Sequence, residues 1–229
     1  DKIDSLADYA EVELPIPVPG AGQVRIRIAA VSIGYVDALL ALGRYQVKPP
    51  LPHVPGAEVA GVVDALGEGV TGFAVGDRVM ALAGRGFAEL APAALTRRLG
   101  ADTGFAAGAA LPLNYLTALH GLVDRGALKP GDTLLVFGAA GGVGMAAVQI
   151  GKLLGARVIA AASTPEKRDF ALAQGADAVI DTAVEGWRDR LKAVLDGKPL
   201  NVLFDPVCGP LFEPAFRSPG WAGRHLVAG

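Results

Sequence analysis

The sequence predicts an α/β protein in two parts, a small β-barrel followed by a doubly wound parallel sheet. Three observations carry this prediction. Residues 1–103 are rich in Gly, Pro and short Val/Ile/Ala runs, the texture of a β-domain. Residues 104–229 alternate short apolar runs with helix-periodic ones, the pattern of a parallel sheet. At 229 residues the chain also has room for two domains, each with its own core.

In the first part, QVRIRIAAV (Gln23 to Val31) alternates apolar with charged residues, as a strand with one buried face does. AEVAGVVDAL (Ala57 to Leu66) and DRVMAL (Asp77 to Leu82) are further strands, separated by the turn-forming GEGVTGFAVG. In the second part, TLLVFGA (Thr133 to Ala139) is short and wholly apolar, a buried strand. GVGMAAVQIGKLLG (Gly142 to Gly155) has helical periodicity and closes on a Gly suited to a C-terminal cap. ARVIAAAS, PEKRDFALAQG, DAVID, WRDRLKAVLDG, NVLFDPV, PLFEPAFRSPG and RHLVAG then read as strand, helix, strand, helix, strand, helix, strand. Pro165 fits the first turn of its helix, where a missing N–H costs nothing. RHLVAG is the fifth strand of a sheet that normally has six, so the sequence reads as truncated, with an uncovered edge strand and its last strand and return missing.

Composition narrows the partners. The 21 basic and 23 acidic side chains nearly cancel without a basic cluster, which argues against nucleic acid and for a small molecule. Although 52% of residues are hydrophobic, no apolar run reaches the roughly 18–20 residues of a membrane-spanning helix. The one cysteine, Cys208, excludes an internal disulfide and a thiolate-rich metal site, and suits a reducing cytoplasm. The N-terminus lacks both the pattern of a signal peptide and an initiator Met, as a processed or truncated start would.

Gly138, Gly141 and Gly144 follow a strand and open a helix, the setting in which glycines hold a dinucleotide pyrophosphate. Without Cβ they let the backbone turn tightly and come close to the anion, which the N–H groups at a helix start attract. Gly142 and Val143 add their amides. Ala139 and Ala140 complete the loop, with Ala139 in the place of a first Gly if Gly141 and Gly144 are the other two. Tight strand-to-helix packing is the alternative account of these glycines. About twenty residues on, an NAD-selective site carries an acid for the ribose. Here stand Ala161 and Ala162, followed by Ser163, Lys167 and Arg168, a hydroxyl and two cations that favour the 2′-phosphate of NADPH. A solvated helix face accounts equally for Lys167 and Arg168, and helix capping for Ser163.

AALPLNYLTALHGL, KPGDTLLVFGAAGGVGMAAVQIGKLLGA and DPVCGPLFEPAFRS, with VPGAEVAGVVDALGEGVTGFAVGDRVMAL before them, resemble the zinc-independent quinone oxidoreductase branch of the medium-chain dehydrogenase/reductase superfamily, which includes zeta-crystallin. The resemblance covers almost the whole chain. It implies a GroES-like catalytic domain over 1–103, a Rossmann-type NADP-binding domain over 104–229, an active site in the cleft between them, and a homodimer when full length. It also implies hydride transfer from NADPH to a quinone or a small α,β-unsaturated carbonyl.

Zinc-containing relatives place a His where this chain has Ala57, and a Cys around Ser32 to Asp37, so the resemblance implies no metal site. His53, His120 and His225 are scattered and read as ordinary structural or surface histidines. The family's substrate face includes an Asn, an Asp three residues later and a Tyr in G-x-Y; here these positions hold Gly34, Asp37 and Tyr45. Tyr45 is the candidate donor to a developing enolate or hydroquinone oxygen, against packing beneath the Pro-rich loop. Asp37 is a candidate catalytic residue, against a helix-terminus or ion-pair role. By the same resemblance Asn114 and Thr117 lie toward the cofactor, Thr117 on the nicotinamide side, while capping of a Leu116–Val123 helix explains Asn114 as well. Gly229 offers backbone contacts to the nicotinamide. Thr182 replaces a Tyr near the 2′-phosphate, which implies weaker NADPH binding. Cys208 is either a redox thiol or a small buried spacer. Two alternatives stand beside quinone reduction: an enoyl-thioester reductase, and an NADPH-binding regulatory or crystallin-like protein with little turnover.

Overall fold

The computed structural model describes residues 5–182 and 185–228, and these divide into two units between Leu113 and Asn114. In the first, strands β1 (Val24–Val31), β2 (Glu58–Leu66), β3 (Arg78–Leu82), β4 (Leu90–Ala93) and β5 (Leu95–Arg98) pair antiparallel in the order β4-β1-β2-β3-β5. The alternation in VRIRI has the expected result. Val24 and Ile26 are buried with Val59, Val63 and Val79, while Arg25 and Arg27 turn outward to share the Asp64 carboxylate at 2.6 Å. Register shifts bend the β1–β2 pair, and there Gly61 comes so close to β1 that an added Cβ would stand 2.0 Å from the Arg27 carbonyl.

Helix α1 (Tyr35–Ala41) follows β1. Helix α2 (Phe105–Ala110) lies on the first sheet, with Ala109 packed against Ala60 and Leu99, and a Cβ at Gly108 would press on the Leu99 methyls. Arg78 reinforces this seat, donating to the Gly100, Ala101 and Thr103 carbonyls beneath the Phe105 ring. The first unit therefore runs on to Leu113, ten residues past the expected boundary at 103/104.

In the second unit β6 (Thr133–Phe137), β7 (Arg157–Ala162), β8 (Ala178–Asp181), β9 (Val202–Asp205) and β10 (Arg224–Val227) are all parallel, ordered β10-β9-β6-β7-β8. Numbered from the first of them this is 3-2-1-4-5, the doubly wound order, with its switch point between β6 and β9. One face of the sheet is covered by α3 (Pro112–Leu119), α4 (Gly142–Leu153) and α5 (Pro165–Ala173); the other by α6 (Trp187–Leu195) and α7 (Phe212–Phe216). Trp187 meets Phe137 edge to face, with centroids 5.4 Å apart. Residues 120–125 continue α3 in wider π-helical turns. The helix expected over PLFEPAFRSPG shrinks to α7, because Pro214 cannot supply an N–H to a longer one. β10 is an edge strand, paired only with β9 among the described residues. No helix among the described residues is long and apolar enough to cross a membrane.

Candidate functional site

The Gly138–Gly144 turn joins β6, at the switch point, to α4. Gly138 adopts φ +56°, a conformation that side chains disfavour, and its carbonyl accepts from the Gly141 N–H at 2.8 Å. Buried Ala139 ties the turn to the next strand by donating to the Ala161 carbonyl. A Cβ on Gly144 would stand 2.2 Å from the Gly138 carbonyl oxygen, and one on Gly142 would stand 2.7 Å from the Asn114 Oδ1. Gly141 and Gly142 remain exposed at the start of α4, where the first amides lack acceptors within the helix. An anion fits this cradle; a larger residue at Gly144 does not.

At the end of β7, Ala161 and Ala162 are buried and no acid stands there. Ser163 is exposed but does not cap α5. Thr164 is the N-cap, its Oγ1 accepting from the Lys167 N–H, because Pro165 occupies the first helical position. Lys167 is exposed. Arg168 is folded back, its guanidinium donating to the Ala162 carbonyl at 3.1 Å and pairing with Asp181 at 3.0 Å. Asn114 is not a helix cap either, since α3 begins two residues earlier at Pro112; its amide lies against Gly142. Thr117 lines a cleft of about 530 Å3, a small-molecule size, with Gly121, Phe204, Leu226 and Ala228. Gly229 lies outside the described residues.

In the first unit Asp37 is buried, and both its oxygens accept backbone N–H groups, from Gly34 at 2.8 Å and from Ala57 at 3.1 Å. That is a helix-terminus role: Asp37 stabilises the start of α1 and fixes the entry to β2. Gly34 needs no glycine conformation, with φ −99°. Tyr45 is half-buried in the loop after α1. Ala57 offers no donor atom to a metal, and Glu58, also buried, spends its carboxylate on the Ser32 hydroxyl at 2.7 Å and the Leu113 N–H at 2.6 Å. A zinc ion of the kind bound through a His at this position does not fit these residues.

Sequence reasoning missed a buried pair. His225, read as an ordinary histidine, is 5% exposed; its Nε2 lies 3.1 Å from the wholly buried Asp205 carboxylate and its ring is tilted on Phe212. The other Asp205 oxygen accepts the Val207 and Cys208 N–H groups, shaping the loop that sets Val207 against Gly138. Burial, and then the Asp205 carboxylate, push the Cys208 thiol up, which favours the spacer role over the redox one.

Two family models match the chain: an alcohol dehydrogenase GroES-like domain over residues 20–120 and a zinc-binding dehydrogenase domain over residues 142–229. Quinone oxidoreductase-like protein 2 homolog of Nematostella vectensis is 37% identical over 203 residues, 86% of this chain and 55% of that one. The chain thus spans about half the length of that relative. A mycobacterial protein solved in complex with NADPH superposes with a TM-score of 0.90 at 32% identity, covering 100% of this chain and 72% of that one. The enoyl reductase CurK superposes with a TM-score of 0.91 at 26% identity, covering 99% and 71%.

Proposed function

We propose, because the chain belongs to the quinone oxidoreductase family of the medium-chain dehydrogenases/reductases, that its complete protein transfers hydride from NADPH to a quinone or a small α,β-unsaturated carbonyl without zinc. The observation that carries the reading is the Gly138–Gly144 turn, whose backbone leaves no room for a Cβ at Gly144 and which leaves Gly141 and Gly142 exposed at a helix start. When bound, the nicotinamide supplies the hydride. The amides of Gly142 and Val143 hold the pyrophosphate, the Gly141 N–H being engaged by the Gly138 carbonyl. Ser163 and Lys167 meet the 2′-phosphate, where an acid would repel it. The Thr117 hydroxyl donates on the nicotinamide side of its cleft. Tyr45 donates its O–H to the acceptor oxygen on which negative charge develops. Ala57 and the committed carboxylate of Glu58 support a reaction without metal.

The test is NADPH oxidation by the complete protein, dialysed against a chelator, with a panel of quinones and enones. Turnover that survives dialysis is expected. NADPH oxidation no faster than background with every acceptor sinks the proposal, and activity restored only by zinc sinks its metal-free part. A second reading, an enoyl-thioester reductase, is favoured by the likeness to CurK. Faster reduction of a crotonyl thioester than of benzoquinone selects it.

A further inference from the structure

The charge beside the cofactor's adenosine end is shared inside the protein before any ligand arrives. Ala162 and Asp181 are the last residues of β7 and β8, and they face each other in the parallel register. The end of the second strand of such a sheet is where the adenosine ribose sits and where an acid, if present, selects NAD. Arg168 reaches this place from α5, its Nη1 lying 3.1 Å from the Ala162 carbonyl and 3.0 Å from Asp181 Oδ2. The two side chains are only 17% and 26% exposed, so solvent and salt screen the pair less than they would on an open surface. Arg190 donates to the Asp181 carbonyl at 3.2 Å, and Glu166 and Lys167 bring opposite charges from the exposed turn of α5.

We propose that Asp181 determines cofactor specificity: it competes with the 2′-phosphate of NADPH for Arg168, and so lowers the preference for NADPH that Ser163 and Lys167 create. The chain carries its acid one strand over from the NAD-selective position, and paired. A bound 2′-phosphate must share the guanidinium with that acid; the bare ribose of NADH need not. The inference rests on the dinucleotide-binding reading above.

The test measures dissociation constants for NADPH and NADH by nucleotide fluorescence in the complete protein. Asp181→Asn keeps the size and an acceptor oxygen but removes the charge. It is expected to shift the ratio of the two constants toward NADPH by about fivefold or more, as loss of a partly screened competing charge implies, with NADH binding within twofold of the parent. Arg168→Gln is expected to shift the ratio the other way, and in the Arg168→Gln background Asp181→Asn is expected to gain toward NADPH only what loss of its direct repulsion gives, so that the two effects are not additive. An unchanged ratio in Asp181→Asn, or an equal change for both nucleotides, overturns the inference while leaving the dinucleotide reading intact. Because the ratio cancels a loss of folded protein, a destabilised variant still reports. Parent protein that binds neither nucleotide overturns both.

Discussion

Replacing Gly144 by Ala tests the cofactor turn at the point where the structure is least tolerant. The new Cβ would stand 2.2 Å from the Gly138 carbonyl oxygen, 2.8 Å from its carbon and 3.0 Å from the Ala139 Cα, all backbone atoms that no rotamer change can move. The start of α4 and the end of β6 must therefore separate by roughly 1 Å, a displacement that in a positioned site can cost on the order of 100-fold. Overpacking of this kind costs about 1–3 kcal/mol, and the better helix propensity of Ala returns at most about 1 kcal/mol. The expected outcome is NADPH binding weaker by roughly 10- to 100-fold, with a melting temperature lower by a few degrees. Gly141→Ala is the matched control for the fold: its Cβ meets the Gly138 oxygen at 3.3 Å and its φ is an ordinary −81°, so its melting temperature is expected to stay close to that of the parent. Fluorescence titration and thermal melts read both variants. If Gly144→Ala binds NADPH within twofold of the parent and melts at the same temperature, close approach at this turn is not what the site depends on.

Lys167→Ala is expected to weaken NADPH by about tenfold and NADH hardly at all; equal losses, seen by titration with each nucleotide, would mean that the ammonium does not meet the 2′-phosphate. His225→Leu leaves a wholly buried Asp205 oxygen without its side-chain partner and is expected to cost about 1.5–3 kcal/mol in urea unfolding, with partial recovery in His225→Gln. Burial alone would raise Asp177, but the Lys152 ammonium at 2.6 Å and the Val158 N–H outweigh it and hold the carboxyl below its ordinary value. The folded-state value being depressed, the stabilisation is complete above the ordinary Asp value of about 3.9 and is lost as pH falls through the lower folded value. Lys152→Met should accordingly flatten the acid limb of a melting-temperature profile measured from pH 7 down to pH 3.

The parallel sheet was legible because its central strands are short apolar runs, and burial on both faces leaves no other use for TLLVF or VLFD. β4 and β5 were not, since LAPAALTRR shows no alternation and contains Pro92. Pro92 is tolerated because β4 is an edge strand, a fact of pairing that composition does not carry. The glycine turn stood out through its spacing, whereas the contact of Arg168 with Asp181 joins a helix to a strand and that of His225 with Asp205 joins two neighbouring strands, so both depend on tertiary placement. Two of the open alternatives, capping by Asn114 and by Ser163, are decided by prolines in the sequence. Pro112, at the first helical position, marks a helix start before Asn114, and Thr164, beside Pro165, is the residue in place to cap α5.

Glu58 carries a lesson for anyone who would redesign the first unit. Beside Ala57 it invites reconstruction, as though one histidine would revive a dormant metal motif. Yet its oxygens already tether Ser32 at the close of β1 and the backbone at Leu113, at the far end of the same unit. A histidine introduced at position 57 would find its neighbour occupied, and recruiting that carboxylate to an ion would release two anchors of the fold. Metal chemistry at this position would have to begin with new supports for Ser32 and Leu113, before any ligand was added.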